Sequence, residues 1–309
     1  MITANRRWFD RILCPLDFAS SDSDEALRYA VALARAYRAD LYVCHCMEPA
    51  DYEDPDKNDH ILGCLYASVG RHILPGPTDK LEWKPVILKG DPATEITHYC
   101  SQHLIDLVVM RSRKRTRLAG ALGSTAEVLA RSSPCSVLVT GPGEREFAGS
   151  TTNQVDPRRI LVAYDFSAEA DDALSMGLSL GQEFQSEMDL MYVLRYATIK
   201  GIGPIKKDEP QITTLASRLA NAVPAGAADW CQINQVFAEG DAGKEILRYA
   251  ETHPIDLICM GAIASESLMY KVLGSTANRV LRGAPCPVLI SRPSRAQAVS
   301  ATNTVGHQA

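Results

Sequence analysis

The chain has 309 residues, more than one hydrophobic core usually serves, so two domains are expected. Its 46% apolar and 22% charged residues are ordinary for a globular protein, and its net charge of −5 argues against a polybasic nucleic-acid or membrane-surface binder. No apolar run approaches the ~18–20 residues of a membrane span, Asp10 and Arg11 interrupt any signal-peptide core, and the nine cysteines sit mostly inside apolar runs, as reduced buried thiols do. The expected compartment is therefore cytoplasmic, with no membrane and no nucleic-acid partner.

In chain order, "RILCPLD" (11–17) reads as a short apolar strand. "SDSDEALRYAVALARAYRAD" (21–40) follows with apolar residues at helical spacing, Ser23 as cap, and Asp24 and Glu25 in the first turn where the helix dipole favours acid. "LYVCHCM" (41–47) is a strand, and residues 58–75 read as a helix ending near Pro75. "LEWKPVILK" (81–89) is a strand whose Pro85 places it at a sheet edge. In "DPATEITHYCSQHL" (91–104) Asp91 caps a helix with Pro92 in its first turn and Glu95 close behind. "IDLVVM" (105–110) has the continuous apolar character of a buried parallel strand. A basic loop, a helix opening at Gly123-Ser124-Thr125 and the strand "CSVLVT" (135–140) complete the set.

The same order then recurs. "GSTAEVLARSSPCSVLV" (123–139) and "GSTANRVLRGAPCPVLI" (274–290) are identical at nine of seventeen positions. "RILCPLDFASSDSDEAL" (11–27) pairs with "RILVAYDFSAEADDAL" (159–174), and "KGDPATEITHYCSQHLIDLVVM" (89–110) with "EGDAGKEILRYAETHPIDLICM" (239–260). Two copies are a domain duplication rather than a solenoid. The expected domains are 8–141 and 158–292, with a linker at 142–157 and a flexible tail at 293–309. Strands alternating with helices make each an α/β unit: a parallel sheet with helices on both faces. The last strands, 136–140 and 287–291, are apolar edges that are expected to pair with each other inside the chain.

Open parallel sheets bind ligands outside the carboxyl ends of their strands. In the second copy Asp165 ends the first strand, "MGAIASESLMYKVLGST" follows the fourth, and Gly274-Ser275-Thr276 opens the last helix. Free first-turn amides and two hydroxyls suit a phosphate, and an ordinary helix cap is the other reading of the same residues.

Three features together resemble the universal stress protein family. They are a strand ending in Asp-Phe, the Gly-Asp-(Pro/Ala)-x-x-Glu-Ile segment, and the Gly-Ser-Thr helix leading to Pro-Cys-x-Val-Leu. The resemblance covers about 15–140 and 160–291. It implies two tandem open parallel five-stranded sheets, strand order 3-2-1-4-5, domain pairing through the last strands, and a homodimer. It also implies ATP, with or without magnesium, bound through Gly-x-x-Gly-x9-Gly-(Ser/Thr). The second copy offers Gly261-x-x-Ala264-x9-Gly274-Ser275, one glycine replaced by alanine. Carried over by position, Asp165 and Val193 hold adenine, Gly261 lies by the ribose and α-phosphate with Met260 and Ala264 beside it, and Gly274, Ser275 and Thr276 hold the outer phosphates. The weaker counterparts in the first copy are Asp17, Val43, Gly123, Ser124 and Thr125. There Arg111 and Lys114 occupy the first two glycine positions, and the spacing to Gly123 is one residue short. A degenerate site, an anion-recruiting loop of the five basic residues in 111–117, and a solvated basic loop all remain open.

The functional expectation is a stress-response regulator that binds adenine nucleotide in its second domain. No general base or metal-binding carboxylate pair is evident at the site, which weighs against an enzyme. A slow ATPase or adenylate hydrolase and a nucleotide-free dimerising adaptor remain the alternatives. Cys44-His45-Cys46 on a strand send the cysteines to one face and the histidine to the other, and no C-x2-C pair exists, so no metal site is expected.

Overall fold

A computed structural model describes residues 8–18, 24–73, 81–112, 122–141, 145, 156–194, 209–262 and 273–293. Ser23, Arg113 to Arg117, Ala264, most of the linker and nearly all of the tail lie outside the described residues. The first half runs β1 (Arg11–Pro15), α1 (Asp24–Tyr37), β2 (Asp40–Met47), α2 (Pro55–His72), β3 (Trp83–Lys89), α3 (Pro92–Gln102), β4 (Leu107–Arg111), α4 (Ser124–Ser132) and β5 (Ser136–Thr140). The second runs β6 (Arg159–Ala163), α5 (Ala168–Phe184), β7 (Glu187–Leu194), α6 (Glu209–Ala222), β8 (Ile233–Glu239), α7 (Ala242–Thr252), β9 (Leu257–Gly261), α8 (Ser275–Gly283) and β10 (Val288–Ser291).

The strand order is β3-β2-β1-β4-β5-β10-β9-β6-β7-β8, one ten-stranded sheet containing the 3-2-1-4-5 order twice. All pairings are parallel except the central one, where β5 meets β10 antiparallel with Val139 opposite Val288 and Val137 opposite Ile290. β3 lies at the outer edge, where Pro85 costs no ladder bond on its open side. Helix α2 starts at Pro55 rather than near residue 58, because Asp54 accepts from the Asp56 amide and Pro55 takes the first-turn position that needs no donor.

Helices cover both faces. Buried residues of α1, α2, α5 and α6 share one core with one side of the sheet, and those of α3, α4, α7 and α8 share the other. Side chains also tie the halves together. Tyr37 Oη lies 3.2 Å from Ser179 Oγ, and Arg282 Nη2 donates to Glu127 Oε2 at 2.9 Å. The Arg145 guanidinium donates to the Ala250 carbonyl at 2.6 Å, and that of Arg292 to the Arg131 carbonyl at 2.7 Å, so each caps a helix C-terminus in the second and first half respectively.

Candidate functional site

At the carboxyl edge the helices open differently. Asp91 caps α3 by accepting from the Thr94 amide at 3.0 Å, a bond that holds its carboxyl below the usual range. Asp241 does the same for α7 through Lys244, and Ser167 caps α5 through the Ala170 amide. Gly90 and Gly240, which precede the two aspartates, have φ of 141° and 142°, a region that only glycine enters cheaply. The Gly-Asp segment is thus a helix-starting turn. By contrast, α4 and α8 open at Gly123 and Gly274 with no side-chain cap. Among the described residues no cap side chain takes their first-turn amides, while the Gly123 amide itself donates to Ser112 Oγ at 3.2 Å.

In the first half these elements surround a cavity of about 790 Å³. Asp17, Gly123, Ser124 and Thr125 all line it, as does Arg111. Val43 does not. It is fully buried in the core, and the residue that stands in register with Val193 is Cys46, which does line the cavity. The first-copy equivalent of Val193 therefore lies three residues further along β2 than the sequence reading put it, because the strand reaches the edge only at its last turn of the pleat. Phe18 and His45 add a stacked pair with centroids 4.7 Å apart, and His45 Nδ1 lies 2.9 Å from the Leu16 carbonyl oxygen. Burial, with Glu95 and Asp91 nearby, pushes the Cys46 thiol up to about 12, so it remains protonated.

In the second half Asp165 follows β6, exposed, and its Oδ1 accepts from the Ser167 amide at 3.1 Å. Val193 is near the carboxyl end of β7, Met260 and Gly261 end β9, and Gly274, Ser275 and Thr276 open α8. Met260 is paired with Ala163 on one side and Ile290 on the other. These residues gather at the same edge of the sheet; Ala264 lies outside the described residues.

The sequence profile of the universal stress protein family matches residues 9–141 and again residues 157–292. The chain belongs to the universal stress protein family. A universal stress protein of Methanocaldococcus jannaschii is 29% identical over 138 residues, 43% of this chain and 81% of that protein. One of Bacillus subtilis is 29% identical over 145 residues, 43% of this chain and 98% of that protein. The solved structure of a universal stress protein from Archaeoglobus fulgidus covers 92% of this chain and 98% of its own, with a TM-score of 0.66 at 21% identity, which supports the fold.

Within this universal stress protein the two halves differ where the first glycine of the Gly-x-x-Gly-x9-Gly-(Ser/Thr) pattern stands. Arg111 directs its guanidinium to Glu25 of α1, and the two form an ion pair with the arginine side chain only 9% exposed. In the second half Gly261 takes that place, and the residue corresponding to Glu25 is Asp172, whose carboxyl is pushed up to about 6 by burial and by Asp171 and Glu169. Lys114, the second basic substitution, lies outside the described residues. The sequence marks His45 and Cys46 only as candidate metal ligands and does not place them, or Phe18, at the cavity. Phe18, next to the motif aspartate, and the Cys-His-Cys run are the signals that point there.

Proposed function

We propose that this universal stress protein is a stress-response regulator that binds ATP in its second half, with the triphosphate at the N-terminus of α8. The observation that carries the proposal is the opening of that helix. Its neighbours at the same edge, α5 and α7, are capped by Ser167 and Asp241, whereas α8 begins at Gly274, which has no side chain to cap it. On this reading Asp165 and Val193 contact adenine and Gly261, beside Met260, lies near the ribose and α-phosphate. Gly274, Ser275 and Thr276 hold the outer phosphates through backbone amides and hydroxyls. Nucleotide would act by favouring one conformation or partner-binding state over another, which requires different affinities for the two.

The cavity of the first half supports a second reading, in which that half also takes a ligand. Because the Arg111 guanidinium turns toward α1, it leaves the α4 amides unblocked. Mass spectrometry of the natively purified protein tests the proposal. One adenine nucleotide per chain is expected, two would favour the second reading, and none on apo protein that also fails to take up added ATP would contradict both.

A further inference from the structure

The second half has another cavity, about 500 Å³, in the groove between α5 and α6. None of the residues assigned above to nucleotide lines it. Its volume is within the range of small-molecule sites, roughly 300–1,000 Å³. From α5 come Asp171, Leu174, Ser175 and Leu178, spaced so that they form one stripe facing α6. Arg218, Asn221 and Ala222 face them, and Tyr164 and Phe166 close the end nearest the sheet. In the first half Arg28 takes the place of Ser175, so this small hydroxyl-bearing wall is particular to the second half.

Two opposite charges share the cavity without meeting. Asp171 Oδ1 accepts from Tyr164 Oη at 2.5 Å, and among the described residues no other side chain bonds to its carboxylate. Burial and that bond push the Tyr164 hydroxyl up, so it stays a donor. The Arg218 guanidinium lies over the Phe166 ring, its Cζ 4.2 Å from the centroid. A guanidinium held against a ring face can still donate through its N–H groups. Among the described residues Arg218 makes no ion pair, with Asp171 or any other acid. Beside the charges run the apolar side chains of Leu174, Leu178, Ala222 and Pro224.

We propose that this cavity binds a free α-amino acid with an apolar or aromatic side chain. The ammonium group meets Asp171 and the Ser175 hydroxyl, the carboxylate meets Arg218, and the side chain rests on the leucines and Pro224. A ligand of a single charge would leave one of the two protein charges unmatched. The zwitterion satisfies both, and charge-assisted bonds are the stronger kind. The site is independent of the nucleotide reading.

Calorimetric titration of the full chain with L-phenylalanine and L-leucine tests this, with hydrocinnamate and phenethylamine as analogues lacking the ammonium and the carboxylate. Saturable binding of at least one of the two amino acids at one site per chain is expected, with each analogue at least about tenfold weaker than phenylalanine. Arg218→Ala should erase the advantage over phenethylamine, and Asp171→Asn the advantage over hydrocinnamate. Both positions are exposed and Asn keeps an acceptor for Tyr164, so both variants should fold. No heat with either amino acid, analogues that bind as well as phenylalanine, or binding unchanged in Arg218→Ala would overturn the proposal.

Discussion

Gly261 ends β9 against the first turn of α5 so closely that a Cβ on it would stand 2.4 Å from the carbonyl oxygen of Glu169 and 2.5 Å from its carbonyl carbon. Backbone cannot rotate out of the way as a side-chain tip can, so the helix would have to retreat. The glycine is therefore required by packing, whatever ligand lies beside it. Gly261→Ala is expected to cost about 1–3 kcal/mol of stability, read as a lower urea midpoint. An unchanged midpoint would show that α5 yields freely.

Arg111 stands where the first half could have had the same glycine, and it spends its charge on Glu25. Arg111→Ala should strand a half-buried carboxylate and cost about 1–3 kcal/mol. Adding Glu25→Ala should recover part of that loss, and urea unfolding of the two singles and the double measures the coupling. Additive effects would show that the pair contributes nothing.

Asp172 makes stability depend on pH. Its carboxyl, raised from 3.8 to about 6 chiefly by burial, binds its proton more tightly in the folded chain than in the unfolded one. Its contribution is thus fully present below about pH 4 and is lost as pH rises through about 6. Asp172→Asn should stabilise the protein at neutral pH by about 1–2 kcal/mol, after allowing for solvent screening, and have little effect near pH 4. Equal effects at both pH values, by chemical unfolding, would contradict this.

The central β5–β10 pairing buries Val137 and Val288 almost completely. Val137→Lys together with Val288→Lys should place two unpaired charges in the core and leave the protein aggregated or unfolded by size-exclusion chromatography. A soluble double variant of wild-type stability would contradict the importance of the pairing.

What was legible in the sequence has a local cause. The Asp91 and Asp241 caps, the apolar runs of β4 and β9 and the edge position of β3 each follow from a few neighbouring residues. What was not legible depends on three-dimensional approach. Val43 and Cys46 belong to one apolar strand, and only its register against β1 and β3 decides which reaches the cavity. Arg111 in the sequence leaves a degenerate site, an anion-recruiting loop and a solvated loop all open, and only the fold brings Glu25 beside it. Asp189 stands in the largely apolar strand β7. It is fully buried, yet it accepts from Arg159 Nε at 2.7 Å, Tyr249 Oη at 3.0 Å and Asn234 Nδ2 at 3.1 Å. The first half solves the same place with Tyr42 against Tyr99 and Lys84.

Calorimetric titration of ATP into the wild type, Gly274→Val and Gly123→Val tests the central claim most directly. Gly274 has φ −57° and ψ 150°, which valine adopts without strain, so the variant should fold while its side chain crowds the phosphate turn. Losing one or two charge-assisted bonds of ~1.5–3 kcal/mol each predicts roughly ten- to ten-thousand-fold weaker binding for Gly274→Val. One site per chain and little change in Gly123→Val are predicted with it. Two equivalent sites, equal losses from the two substitutions, or no binding by the wild type would contradict ATP binding in the second half.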